Sequence, residues 1–245
     1  MSKTILIAED EGRLARQLAD ALARNNRSLL VALRAQETSA PRFVTPTEGL
    51  QRMVDELVTR LDDVRTDAEV VGIGSEGARV TVVTRAGAET HDGVVLTSPP
   101  HASAELARSM APRAAEGMTT ISYASLAVIA LVYPPGAFEI PSDGSGFLVP
   151  TDAGLSISAC TWYTTKWPHV NTDGRQVVRC VIGRAGDDPS MTRSDEELVS
   201  AVHRDLQTTL QVSAPVLSQR VTRWHQGIPQ YAVGHLELVD AIEEG

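Results

Sequence analysis

Cysteine is scarce, aromatic rings are few, there is no basic excess and no long apolar run, and each shortage closes off a class of function. Only Cys160 and Cys180 occur in 245 residues. Neither belongs to a CxxC pair or stands in ligand register with a histidine, so no metal centre is expected. Both lie in strand-like runs and read as buried thiols of a reducing compartment. Lysine and arginine total 22 against 31 aspartates and glutamates, a formal charge of −9. That balance argues against a nucleic-acid or anionic-membrane surface, yet leaves room for a local basic pocket. No apolar run approaches the ~18 residues of a membrane span and the start lacks a signal-peptide pattern, so a cytoplasmic chain is expected. GxSxG, HExxH and GK[ST] motifs are missing, and the six histidines show no ligand spacing. No protein nucleophile, and hence no catalytic side chain, is expected.

What is present suits a folded enzyme-sized chain: 42% hydrophobic and 22% charged residues can bury a real core in one large domain or two small ones. Residues 3–8 (KTILIA) form a short strand, followed by Glu9, Asp10 and Glu11 and by a helix with Leu14, Leu18, Ala21 and Leu22. Thr47 is placed to cap a helix whose stripe is Leu50, Met53, Val54, Leu57 and Leu61. A three-strand meander is expected over 69–73, 79–84 and 93–98, then a helix from His101 to Met110 closed by Ala111-Pro112. Alternating strands at 120–133, 147–150, 155–163 and 176–184 should pair into an antiparallel sheet. Ser194 and Glu197 form a capping box for a helix with Leu198, Val202, Leu206 and Leu210 on one face.

The most informative stretch is RWHQGIPQYAVGHLELV at 223–239. A strand from Gln219 to Trp224 runs into Gly227 and Pro229, which should end it. A turn at Val233-Gly234-His235 then opens a segment whose Leu236, Val239 and Ile242 fall at helical spacing. The Arg-Trp, Pro-Gln-Tyr and Val-Gly-His-Leu words resemble the closing segment of the porphyrinogen oxidases, flavin enzymes of the amine oxidase superfamily. FVTPTEGLQRMVDEL at 43–57, GVVLTSPPHASAELA at 93–107, YASLAVIALVYP at 123–134, Lys-Trp-Pro-His at 166–169 and VIGRAGD at 181–187 agree in order. The resemblance spans residues 27–245.

The resemblance implies an α+β fold: a partial FAD-binding region, a β-meander with helices, at 27–99 and 215–245, and an antiparallel-sheet substrate domain at 100–214. Chain crossings are expected near 99–115 and 215–224. It implies FAD near Gly49, Val70, Thr97, Pro99 and Trp224. It also implies a tetrapyrrole between Leu148 and Trp167, with Lys166 and Arg184 as candidates for its propionates. The activity implied is oxidation of protoporphyrinogen IX or coproporphyrinogen III to the porphyrin in haem synthesis, with oxygen as acceptor.

Two departures leave alternatives open. The first strand ends in Ala8-Glu9-Asp10-Glu11-Gly12 in place of a GxGxxG turn, and the dinucleotide fingerprint is counted as lacking; carboxylates there would repel a pyrophosphate. The family's other glycine-rich segment is expected beyond Gly245. The same residues therefore also suit an inactive remnant or a tetrapyrrole-binding module without FAD, or a homodimer or complementing chain that supplies the phosphate cradle. Residues 1–26 resemble the start of a response-regulator receiver; a strand that pads an edge, or a foreign start, suits them as well.

Overall fold

A computed structural model describes residues 7–8, 45–140, 145–170, 173–186 and 191–245. They form two compact units, one from the described residues up to Ile121 together with Val233–Gly245, the other from Ser122–Ala232. The carboxylates Glu9–Glu11 and the expected helix with Leu14 and Leu18 lie outside the described residues.

In the first unit, strand β1 (Ile7–Ala8) pairs in parallel with residues Val95 and Leu96. Helix α1 is Leu50–Val58, and its N-cap is Gly49 at φ 91°, not Thr47. Thr47 is taken up by a turn that the Gly49 N–H closes onto the Pro46 carbonyl at 3.0 Å. The meander is β2 (Val70–Glu76), β3 (Arg79–Thr84) and β4 (Gly87–His91), in that order. Its third strand is therefore GAETH, which has no apolar alternation to announce it, and not 93–98. The Thr84 hydroxyl makes the early reversal possible: it accepts the Ala86 N–H and donates to the Gly87 carbonyl, each at 3.2 Å. Val95–Leu96, now β5, leaves the meander for β1.

The helix expected from His101 to Met110 is shorter, and a second, unexpected helix follows it. Helix α2 (Pro100–Ala107) stops early, and Pro112 opens α3 (Pro112–Thr119) in the first turn, where its missing N–H costs nothing. Helix α3 packs on the C-terminal helix His235–Glu243 through Gly117, where an added Cβ would stand 2.7 Å from Ile242 Cγ1.

The second unit is built on five antiparallel strands: β6 (Tyr123–Tyr133), β7 (Gly146–Leu148), β8 (Ile157–Trp162), β9 (Gln176–Ile182) and β10 (Ser218–Pro229). Their order across the sheet is β10-β6-β9-β8-β7. Between β8 and β9 comes the short helix α4 (Tyr163–Lys166), and between β9 and β10 the long α5 (Asp195–Leu210). The C-terminal helix is α6. Ser194 and Glu197 form the expected capping box on α5.

One face of the sheet is the core: Ile129, Leu131, Val178, Cys180 and Ile182 meet Leu198, Val202 and Leu206 of α5, all fully buried. Two polar side chains lock it. Buried Asp205 on α5 accepts the N–H groups of Ser156 (2.7 Å) and Ile157 (3.0 Å), pinning the start of β8. Gln176 accepts the Phe138 N–H at 3.1 Å and donates to the Phe138 carbonyl at 2.9 Å. Cys160 and Cys180 face each other across β8 and β9 as free, buried thiols.

Strand β10 does not end at Trp224. It passes an irregularity between Trp224 and Ile228 and resumes pairing with β6 through Pro229. Gln226 takes φ 45°, and its N–H is held by the Ser125 hydroxyl at 3.1 Å, so Gly227 makes a bulge where a stop was expected. The chain passes between the units at 121/122 and 232/233, beyond the expected 99–115 and 215–224, because α3 packs on α6 and β10 stays with β6 to its end.

Candidate functional site

Residues directly opposite in antiparallel strands share a face, so the register reads out the side of the sheet that α5 leaves uncovered. Leu148 stands opposite Ala159, Ala159 opposite Val181, Val181 opposite Val128, and Val128 opposite Thr222. These five make one row across all the strands. The next row runs Gly146, Thr161, Arg179, Ala130, Arg220. On the other side of the Leu148 row, Trp224 stands opposite Leu126. Leu148 and Trp224, predicted from sequence for different ligands, thus occupy one sheet face. Leu148 is 83% exposed at the edge, while Val128, Val181 and Ala159 are half-buried.

Trp167 follows α4, which is tied to β9 where the Val177 N–H meets the Thr164 hydroxyl at 3.5 Å. Val177, which meets Thr164 of α4, and Val181, which shares a row with Leu148, are four residues apart on β9, about 13 Å, with Arg179 midway. The Lys166 ammonium lies 5.7 Å from the Trp167 ring centre, within cation–π range. Arg184 donates from Nη2 to the carbonyls of Val149 (3.3 Å) and Ile157 (3.1 Å), which sets its guanidinium against the β7–β8 edge next to Leu148 in the chain.

Arg179 and Arg220 were not singled out by sequence. The signal was there in Gln176–Ile182, where Val177, Arg179 and Val181 alternate with buried Gln176, Val178, Cys180 and Ile182. His203 is spent on structure: its Nδ1 lies 2.8 Å from the Tyr133 hydroxyl, joining α5 to β6. Burial, reinforced by the two neighbouring thiols, pushes the Tyr133 phenol well above its ordinary value, so it stays protonated.

The cofactor candidates Gly49, Val70, Thr97 and Pro99 fall in the first unit. Val70 opens β2, half-buried opposite Thr84, and Gly49 has open space where a Cβ would stand. Thr97 follows β5 and Pro99 caps α2, in a turn braced by the Ser98 and Ser103 hydroxyls 2.8 Å apart. The Thr97 hydroxyl is buried without a hydrogen-bond partner among the described residues, which is what a polar atom reserved for a ligand looks like.

The diphosphate of FAD is another matter. Strand β1 leads in sequence into Glu9, Asp10 and Glu11, whose charges oppose phosphate. Gly72, Gly74 and Gly77 do spell GxGxxG, so the letters are present after all. They lie in the β2–β3 hairpin, opposite Val83, Thr81 and the turn, with no helix following. A hairpin presents no helix N-terminus to a pyrophosphate. Among the described residues, the glycines of the β2–β3 hairpin do not fit the flavin diphosphate. An open groove of about 420 Å³ beside α5, lined by Arg193, Arg204, Glu196 and Glu197, mixes both signs of charge and holds none of the predicted residues.

Comparison with known proteins bears on the whole chain. Residues 13–243 match the family model described as flavin containing amine oxidoreductase. Since that match begins inside residues 1–26, the receiver-like reading of the start gains no support. The chain is 29% identical over 205 residues to the coproporphyrinogen III oxidase of Bacillus subtilis strain 168, covering 83% of this chain and 43% of that protein. To the coproporphyrinogen III oxidase of Mycobacterium bovis it is 32% identical over 235 residues, 94% of this chain and 50% of the relative. Among solved structures, a protoporphyrinogen oxidase so described from Exiguobacterium sp. 255-15 superposes with a TM-score of 0.73 at 27% identity, covering 91% of this chain and 49% of that one. The chain spans about half the length of these relatives, or less. On the extent of the family match, it belongs to the flavin containing amine oxidoreductases.

Proposed function

We propose that this chain carries the tetrapyrrole-binding sheet of a porphyrinogen oxidase of haem biosynthesis. The reaction is FAD-dependent removal of hydrogen from coproporphyrinogen III or protoporphyrinogen IX, with oxygen as acceptor. The observation that carries the reading is the sheet face away from α5, an aliphatic floor ending in exposed Leu148 with Trp224 on the same side. In this reading Trp167, with Lys166 beside its ring, is the aromatic wall, and Arg184 is a cation at the β7–β8 edge. These groups bind, orient and exclude water; no side chain is asked to act as nucleophile. The relatives from Bacillus subtilis and Mycobacterium bovis, both coproporphyrinogen III oxidases, favour coproporphyrinogen.

A second reading has its own observation: with Glu9–Glu11 after β1 and the only GxGxxG in a hairpin, the chain suits a tetrapyrrole-binding module without FAD. One experiment separates them. Purified protein is titrated with FAD, then given coproporphyrinogen III in air while porphyrin fluorescence is followed. Flavin uptake with a rise above the autoxidation blank supports the oxidase. Quenching of Trp167 by porphyrin, with no flavin uptake and no rise, supports the module. Neither uptake nor quenching sinks both.

A further inference from the structure

We infer that Arg179 and Arg220 form a two-cation site for the rim carboxylates of a tetrapyrrole lying on the open sheet face, an inference that rests on the reading that the chain binds a porphyrinogen. The two arginines stand on either side of Ala130 in one row of the sheet. Only β6 separates their strands, so their backbones are about 10 Å apart. The alanine between them fills little of the gap. Both side chains are exposed, on the face that holds Leu148 and Trp224.

Among the described residues their charge is uncompensated. Arg52, Arg65, Arg79, Arg85, Arg108 and Arg175 each hold a carboxylate. Arg223, three residues beyond Arg220 and on the opposite face, is bound by Asp195 and by the Arg193 carbonyl at 2.7 Å. Arg179 and Arg220 have no acidic partner among the described residues, and the rows on either side of them contain no aspartate or glutamate. In a chain of net charge −9, a face with two unpaired guanidinium groups and no acid is a departure. Two like charges in one row repel in the free protein, and an anion across them relieves that repulsion. Guanidinium forks bind carboxylates bidentately, which suits propionate arms on one edge of a flat ring. The half-buried Thr161 hydroxyl beside Arg179 extends the polar row, and the aliphatic row of Val128 and Val181 lies next to it for the ring. Coproporphyrinogen carries a propionate on every pyrrole, whereas protoporphyrinogen replaces some by vinyl groups. Two guanidinium groups match a pair of propionates, which both rings carry on one edge.

The test uses the purified chain and two stable porphyrins, coproporphyrin III and octaethylporphyrin, the second having the ring without carboxylates. Binding is read by fluorescence titration. R179Q and R220Q should each weaken coproporphyrin III roughly tenfold, the loss of one charge-assisted hydrogen bond. The double variant should lose more than either, octaethylporphyrin should bind all of them alike, and R85Q in the first unit should bind as the parent does. If both single variants and the double bind coproporphyrin III like the parent while L148D abolishes binding, the two-cation site is wrong and the porphyrinogen reading survives. If the arginine variants lose both porphyrins equally with an unchanged circular dichroism spectrum, the arginines act through packing and the inference falls. A parent that takes up neither porphyrin overturns the porphyrinogen reading itself.

Discussion

At the scale of single residues, the second unit divides its side chains between holding the sheet and lining the face that α5 leaves uncovered. Asp205 belongs to the first group. It is buried on α5 and accepts both N–H groups at the start of β8. Asp205→Ala leaves two backbone donors without partners and should cost about 2–3 kcal/mol in urea unfolding. Asp205→Asn, which keeps an acceptor, should recover part of that. Leu148 belongs to the second group. At 83% exposure it contributes little to folding, so Leu148→Ala should change stability by less than about 0.5 kcal/mol. If it is a wall for a tetrapyrrole, the same variant weakens coproporphyrin III several-fold in a fluorescence titration. A residue without a ligand would leave both measurements still.

At the scale of elements, the helices and strands with a strong period were legible and the weakly patterned ones were not. The capping box on α5 was readable because Ser194 and Glu197 announce it three residues apart, and Ser194→Ala should cost about 1 kcal/mol by thermal or urea unfolding. The central strands of the second unit were readable from their long Val, Ile and Leu alternation. Strand β4 was missed because GAETH has no apolar face, and α3 because a proline usually read as a stop here starts a helix. The bulge in β10 was taken for an end because the hydroxyl that stabilises it, Ser125, lies 101 positions away in sequence. The candidate site residues were legible only singly. Leu148 and Trp224 could be named one by one, but their common face depends on strand order and register, which no local pattern carries.

The cysteines make an element-scale prediction of their own. Cys160 hydrogen-bonds the Cys180 thiol and burial adds to the effect, so Cys180 is held well above the ordinary thiol value. The folded state thus favours the protonated thiol. Its contribution is fully present below the ordinary thiol range and is lost as pH rises through the native value. Urea stability should fall at alkaline pH, Cys180→Ala should flatten that fall, and a thiol reagent at neutral pH should count no reactive groups until denaturant is added.

At the scale of the whole molecule, charge gives two opposite expectations. Net charge of −9 repels an anionic porphyrin, and on that ground added salt would strengthen binding. A local pair of arginines attracts it, and added salt would then weaken binding. With a Debye length of about 8 Å at physiological salt, groups at contact distance outweigh the distant field. Coproporphyrin III affinity should therefore fall between low and high sodium chloride, and octaethylporphyrin affinity should not. A rise for coproporphyrin III would mean that the net field decides.

The bulge in β10 also bears on solubility. Twelve residues long, β10 lies at one end of the sheet with a row of backbone donors and acceptors facing outward, the kind of margin on which a second chain can nucleate ordered aggregation. Gln226 at φ 45° and Pro229 interrupt that margin, and the charges of Arg220 and Arg223 guard it. Deleting one residue from the bulge to give a flat strand should leave the chain folded but make it gather into β-rich assemblies on standing, visible by light scattering.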